Sequence, residues 1–439
     1  MKNHSSILYL LIIISGSLNA QQEKGIIGAN NWLSSWTEFM PNKINYDENV
    51  KVLSGIISED IILYKKHTYL LKGNVFVTNN AILGIEPGTV IMGDSKTKAT
   101  LTITPGAAII AEGTSLDPIV FTSNASRKKA GDWGGIIILG DGYTNKLGKS
   151  HVASLFGSIE PTNYEYTKFG GENLKSNSGF ISYVRIEYAG ATTSKGVISN
   201  GLLFAAVGAS TTVNHVMVSY SSGHSFGVIG GEIQMNQMVS NKPKGNDYDF
   251  RYGAVCNINN SLAVRSPYLS LSGSRCMNVL SHTNSSKVVD TEKETMVTAK
   301  NMTLLTDSED IDSDVKVGLI KESIFIGKGT NFSLESSVVS GFNKAILLSE
   351  NIKINDTDLS KIQLRNICFN ICKRAISLNL KEDDITLENW HKNASFYNDY
   401  TKTNHSELFI DLSSNNKRDY RLKNNETIAM NTISGSTEN

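Results

Sequence analysis

Gly84-Ile85-Glu86-Pro87-Gly88-Thr89-Val90-Ile91 returns as Thr102-Ile103-Thr104-Pro105-Gly106-Ala107-Ala108-Ile109, from residue 84 to residue 102, an offset of eighteen. Each copy holds a short alternating stretch, a Pro-Gly pair and a second apolar stretch. Proline fixes φ and glycine accepts positive φ, so the chain turns sharply between two strands. Asp117-Pro118-Ile119-Val120-Phe121-Thr122 adds another turn and strand. Further on, Tyr183-Val184-Arg185-Ile186-Glu187-Tyr188-Ala189-Gly190 matches His215-Val216-Met217-Val218-Ser219-Tyr220-Ser221-Ser222, thirty-two residues later. Val184, Ile186 and Tyr188 fall on one side and Arg185 and Glu187 on the other, the period of a half-buried strand. Similar stretches recur at 233–238, 332–334, 337–339 and 345–348. Many short strands, frequent turns and almost no helical periodicity predict an all-β solenoid. A parallel β-helix fits best, each coil adding one strand to each of about three sheets. A sandwich or propeller fits less well, because the eighteen-residue self-match is too short for a propeller blade.

The 439 residues carry 42 Lys+Arg against 42 Asp+Glu, which argues against a nucleic-acid partner. Apolar residues make up 40 %, enough for a sizeable core. Residues 1–20 read as a secretory signal peptide, with an eight-residue apolar run at 7–14 and small residues before Gln21. No Cys precedes Cys256, so this is not a lipoprotein signal, and no later stretch is apolar enough to span a bilayer. Export would place Cys256, Cys276, Cys368 and Cys372 in an oxidising compartment, as buried thiols or as one or two disulfides. Cys256 and Cys276 stand about one coil apart, so they could occupy successive rungs. An open solenoid end needs a cover. Residues 21–70, with Trp32 and Trp36 on one helical turn, are read as an N-terminal cap, and 71–380 as the β-helix. Residues 381–439 are read as a C-terminal flank with a short helix near 383–390.

The stretch Tyr69-Leu70-Leu71-Lys72-Gly73 through Ile85-Glu86-Pro87-Gly88-Thr89-Val90-Ile91 resembles exported right-handed parallel β-helix proteins of Bacteroidetes. So do Gly131-Asp132-Trp133-Gly134-Gly135-Ile136, Tyr183-Val184-Arg185-Ile186-Glu187-Tyr188-Ala189-Gly190 and the Trp32/Trp36 pair. The family's members carry names such as T9SS-sorted surface protein or, misleadingly, multidrug transporter. The resemblance runs to roughly residue 350 and implies the fold, with little about activity. It also departs from the family. An acidic run of the form D-D-D-F-D-x-D-N-G is reduced here to Asp247 and Asp249, with Arg251 among them, and the acid of S-G-S-N-G-F-E is absent from Ser272-Gly273-Ser274-Arg275-Cys276-Met277-Asn278. Asp419-Tyr420-Arg421-Leu422 resembles the family's final coil, and no C-terminal sorting domain is evident in the sequence.

Parallel β-helices carry polysaccharide lyases, glycosidases and adhesins. A glycosidase needs two carboxylates across a groove, and a lyase needs oxygen ligands for Ca²⁺ and a cationic base. The candidate ligand-binding residues are Asp247, Asp249 and Arg251, which strict alternation would place on one face of a strand, and Trp133 as a sugar platform. The run of acids from Asp307 to Asp314 lacks the Gly and Glu of an EF-hand and reads as a solvated loop. His215 and His224 flank a strand and a turn without forming an i, i+4 metal pair, and no G-x-S-x-G or P-loop occurs. Sequons such as Asn301-Met302-Thr303 are expected by chance in an Asn-rich chain. No cofactor is expected; the one metal reading left open is Ca²⁺ at Asp247 and Asp249. The expectation is an exported envelope or secreted protein, in the periplasm, at the cell surface or outside the cell. It would bind a polysaccharide or a surface partner without catalysis. The alternative is a polysaccharide lyase or glycoside hydrolase using the Asp/Arg face.

Overall fold

Thr212–Ser219 pairs in parallel with Gly179–Glu187, with Val184 opposite Val216, so the thirty-two-residue self-match is one coil of a parallel β-helix. The computed structural model describes residues 23–43, 46, 50–145, 148–282, 293–379, 385–414 and 417–423. The signal-peptide reading of residues 1–20 lies outside them. Three parallel ladders run the length of the solenoid. Ladder A stacks Gly135–Leu139, Leu202–Ala205, Phe226–Ile229, Tyr248–Arg251, Met277–Leu280 and Glu322–Ile326. Ladder B stacks Ala108–Glu112, the first halves of Gly179–Glu187 and Thr212–Ser219, then Glu232–Asn236, Val255–Asn259 and Thr295–Lys300. Ladder C stacks Ile119–Ser123, the second halves of those two long strands, then Val239–Asn241, Leu262–Arg265 and Thr303–Thr306. Inward residues such as Val184, Val216, Phe226, Tyr248, Phe250 and Val279 form one continuous core.

The eighteen-residue match has a different origin. Ile82–Ile85 pairs with Ala108–Glu112, and Val90–Gly93 with Ile119–Ser123, so neighbouring coils lie 26 (82 to 108) and 30 (90 to 120) residues apart. The first Pro-Gly copy turns from ladder B to ladder C. The second turns from Thr100–Ile103 in ladder A to Ala108–Glu112 in ladder B. The two share corner chemistry without being stacked. At the corner between B and C a single residue takes the left-handed conformation in coil after coil: Tyr183, His215, Gln237, Asn260, Asn301, Ser336 and Asn366 all have φ between 48° and 56°. Asn tolerates that region better than most residues.

Residues 23–43 do not cap the end of the solenoid. They form a strap along its side, following the B–C corner backward through the coils. Lys24 pairs with Asp399. Gly25 N–H donates to Ser336 O at 2.9 Å, and Ile27 exchanges hydrogen bonds with the Asn260 side chain at 2.8 and 3.0 Å. Trp32 and Trp36, four residues apart in an irregular turn with Ser35 at φ 78°, meet the stacked Tyr183 and His215 rings. Ile26, Leu33, Trp36 and Phe39 cover the outer side of ladder C at Met217, Val239, Leu262, Val264, Leu305 and Val338. That face is therefore buried on both sides, as parallel strands are, and Arg185 and Glu187 are only 9 % and 1 % exposed rather than solvated. The first coil begins within the expected cap, at Val50–Ile57.

At the other end, helix Ile385–His391 forms where acidic residues precede an amphipathic run, and Leu387 and Trp390 pack on the main core. Asp419–Leu422 is not a last coil: it pairs antiparallel with Phe409–Asp411, and this hairpin joins the strap over ladder C. The four cysteines are free. Cys256 lies in a ladder B strand and Cys276 enters a ladder A strand, so they do not occupy successive rungs of one ladder. No helix among the described residues is long and apolar enough to cross a membrane.

Candidate functional site

Strand Tyr248–Arg251 turns Tyr248 and Phe250 into the core and Asp249 and Arg251 outward. Asp247 does not share their face. It stands at the corner before the strand begins, where alternation does not yet hold, and points into the solenoid. Ser240 Oγ donates to one of its oxygens and Arg265 Nη1 donates to the other at 2.6 Å. Arg265 also donates to Gly245 O, Arg275 O, Ser270 Oγ and Ser274 Oγ, so the pair fixes the loop between Arg265 and Cys276. This is a structural clamp, fully buried at Asp247.

Asp249 lies on the outer face of ladder A. Its Oδ1 accepts from Asn246 Nδ2, Arg251 Nη2 and Asn278 Nδ2 at 2.8, 2.9 and 2.8 Å. Arg251 Nε stands 2.6 Å from Oδ2. Burial alone would push this carboxyl up, but His224, Arg251 and the hydrogen bonds to its charged form hold it below the usual range. His224 Nδ1 accepts the Asn246 N–H at 2.9 Å, which leaves the neutral ring's proton on Nε2, 3.9 Å from Asp249. Burial keeps that imidazole below its ordinary value, against Asp249. A carboxylate so fully engaged is a poor general base. Asp247 and Asp249 face opposite sides of the wall, each held by an arginine, and cannot share a Ca²⁺ ion. An ionised Asp249 contributes stability that is complete above the unfolded carboxyl value near ~4 and lost as pH falls through its lower folded value. Asp249→Asn should therefore flatten the acid limb of the melting-temperature profile. An unchanged limb would remove the ionised Asp249 from this account.

Trp133 is no surface platform. It is fully buried, stacks on Phe121 at 6.4 Å and donates from Nε1 to Glu187 O at 2.8 Å. The segment from Asp307 to Asp314 is partly helical: Asp310 caps helix Ile311–Lys316, its side chain accepting the Ser313 N–H. His215 stacks on Tyr183 at 4.2 Å and serves the strap. Among the described residues no group of three or more His, Cys, Asp or Glu is placed to hold a metal ion.

A cleft of about 610 Å³ opens on the surface at the early coils. Its floor includes Asn74, Lys98, Thr100 and Gly134, and its walls are residues 155–163 and 191–194. The first wall belongs to the long insertion between Gly135–Leu139 and Gly179–Glu187, which packs Val152, Phe156 and Phe169 on the outer face of ladder A at Phe76, Ile137 and Leu203. Asn74 Nδ2 donates to Ser158 O at 2.9 Å and holds that wall to the floor. Thr100 Oγ1 donates to Asn74 Oδ1 at 3.1 Å, and Lys98 Nζ donates to Gly131 O at 3.1 Å. A side chain at position 134 would meet Thr100 Cγ2 at 2.2 Å, so only glycine fits this floor. Amides and hydroxyls share the lining about equally with apolar surface, with Lys98 and Glu160 as its charged groups. The sequence reading missed this cleft. Its signals were the Gly134-Gly135 pair beside Trp133 and the gap of about forty residues without strand pattern after residue 139.

A family model described as a pectate-lyase like beta helix domain matches residues 55–417. No curated protein and no solved structure matches the chain.

Proposed function

Because the chain belongs to the pectate-lyase-like β-helix family, we propose that it is an exported or cell-envelope protein that binds a polysaccharide in the cleft at Asn74, Lys98 and Thr100, without a reaction of its own. The observation that carries this reading is the cleft's lining. Sugars are recognised through neutral donors and acceptors on a concave surface, and here both walls and the floor supply them. Support for the non-catalytic part comes from the carboxylates. Asp247 and Asp249, the acids that the alternative catalytic reading would use, are each paired with an arginine and supplied with further donors.

One observation favours a catalytic reading. His224, Asp249, Arg251, Arg275 and Glu322 crowd one end of ladder A, with Arg275 Nη2 2.6 Å from Glu322 and its guanidinium over the Phe325 ring. A lyase would need this cluster to open and free a base.

Affinity electrophoresis against a panel of plant and bacterial polysaccharides separates the two. Lys98→Ala and Asn163→Ala are expected to weaken retention several-fold, with Asp249→Asn leaving it unchanged. Retention indifferent to both cleft substitutions would remove the cleft from the proposal. New reducing or unsaturated ends made by the wild type and lost in Asp249→Asn would replace binding with catalysis.

A further inference from the structure

The outer face of ladder C turns polar where the last residues of the strap cross it. Glu187 stands beside Ser219 on the next rung, and Ser219 beside Asn241. All three are at most 1 % exposed, as is Thr122 on the rung before. The Glu187 carboxylate has no well-formed hydrogen bond among the described residues, the Thr122 hydroxyl on the rung before being a weak donor to it, and Arg185 Nε has no acceptor in good geometry. The two side chains approach only to 3.5 Å, because Arg185 Nη2 donates instead to the Tyr46 hydroxyl at 3.1 Å. The strap brings a second carboxylate, Glu38, itself 9 % exposed and accepting the Met40 N–H at 2.7 Å. A buried carboxylate so weakly hydrogen-bonded is costly as an anion and tolerable as a neutral acid.

We propose that the strap is a proton-sensitive latch, seated over Glu187 while that side chain carries a proton and loosened at residues 31–43 when the proton leaves. The groups facing Glu187 are Arg185 and Tyr188 on its own strand, Lys128 on the neighbouring loop, and Glu38 and Tyr46 from the strap side. Burial raises the acid above its ordinary value, with Glu38 adding to this and Arg185 and Lys128 opposing it. An acid raised in the sealed state holds its proton more tightly there. Sealing is therefore favoured in acid and weakens as pH rises through that value. The coils keep their ladder hydrogen bonds throughout, so the change is confined to the strap.

Hydrogen exchange on the full chain, corrected for intrinsic chemical rates, tests this. Protection of residues 31–43 should fall several-fold as pH is raised from the ordinary carboxyl range upward, while that of residues 295–306 does not change. Glu187→Gln should hold strap protection high and flat, and Glu38→Gln should keep the fall. Protection of residues 295–306 reports whether each variant has folded. A wild-type strap indifferent to pH overturns the latch. So does a fall that persists in Glu187→Gln or vanishes in Glu38→Gln.

Discussion

Asp247→Ala is expected to destabilise the protein by about 3–5 kcal/mol, the range for removing one partner of a buried ion pair. The mutation removes more than an attraction. Arg265 would remain with its guanidinium 5 % exposed and its carboxylate gone. Its remaining acceptors, Gly245 O, Arg275 O, Ser270 Oγ and Ser274 Oγ, are neutral. Water would have to enter the corner between ladders C and A, or the loop at 266–276 would have to open. Urea unfolding followed by tryptophan fluorescence measures the loss. Polysaccharide retention by the folded fraction should be unchanged, because Asp247 lines no part of the cleft. A stability loss below about 1 kcal/mol combined with lost retention would return Asp247 to the binding residues.

Trp133→Ala should cost a similar amount, about 3–5 kcal/mol. The ring fills the space left by Gly93, where even a β-carbon would come within 2.5 Å of the indole. Its loss opens a cavity between Phe121 and Gly93. It also leaves the Glu187 carbonyl without the indole N–H that it accepts at 2.8 Å. Neighbouring rungs limit collapse into such a cavity, because their ladder hydrogen bonds fix the backbone on both sides. Gly93→Ala probes the same contact from the other side and should also destabilise. Scanning calorimetry compares the two. Trp133→Ala melting like the wild type would contradict the packing described here.

The strands were legible because alternation and Pro-Gly turns are local. The match between Val184 and Val216 marked a real coil, since both residues enter the core one rung apart. The Pro-Gly match misled about coil length because every corner meets the same dihedral demand, whichever ladders it joins. Alternation also failed at Asp247, one residue before the strand starts. Cys256 and Cys276 were separated by a plausible interval, but sequence distance does not say which ladder a residue enters. What covers each outer face was not legible at all. Arg185 and Glu187 read as the outer face of a half-buried strand because the segment that buries them, at Glu38 and Tyr46, lies some 140 residues earlier in the chain. The cleft is equally non-local, its walls coming from an insertion and a loop with no repeat of their own. The short helix at Ile385–His391 was legible because amphipathic spacing is local again.

The strap's direction has a consequence for the order of assembly. Each coil meets the one before it within a few tens of residues, so the solenoid can grow as the chain emerges from the ribosome or a translocation pore. Lys24, however, meets Asp399, 375 residues later. Ile27 must wait for Asn260, and Gly25 for Ser336. The earliest part of the described chain is thus the last to find its place, and it closes the long apolar flank of ladder C only when the final coils exist. Until then the growing solenoid presents that flank uncovered. The strap can be complete only after the coil that carries Asp399 has formed.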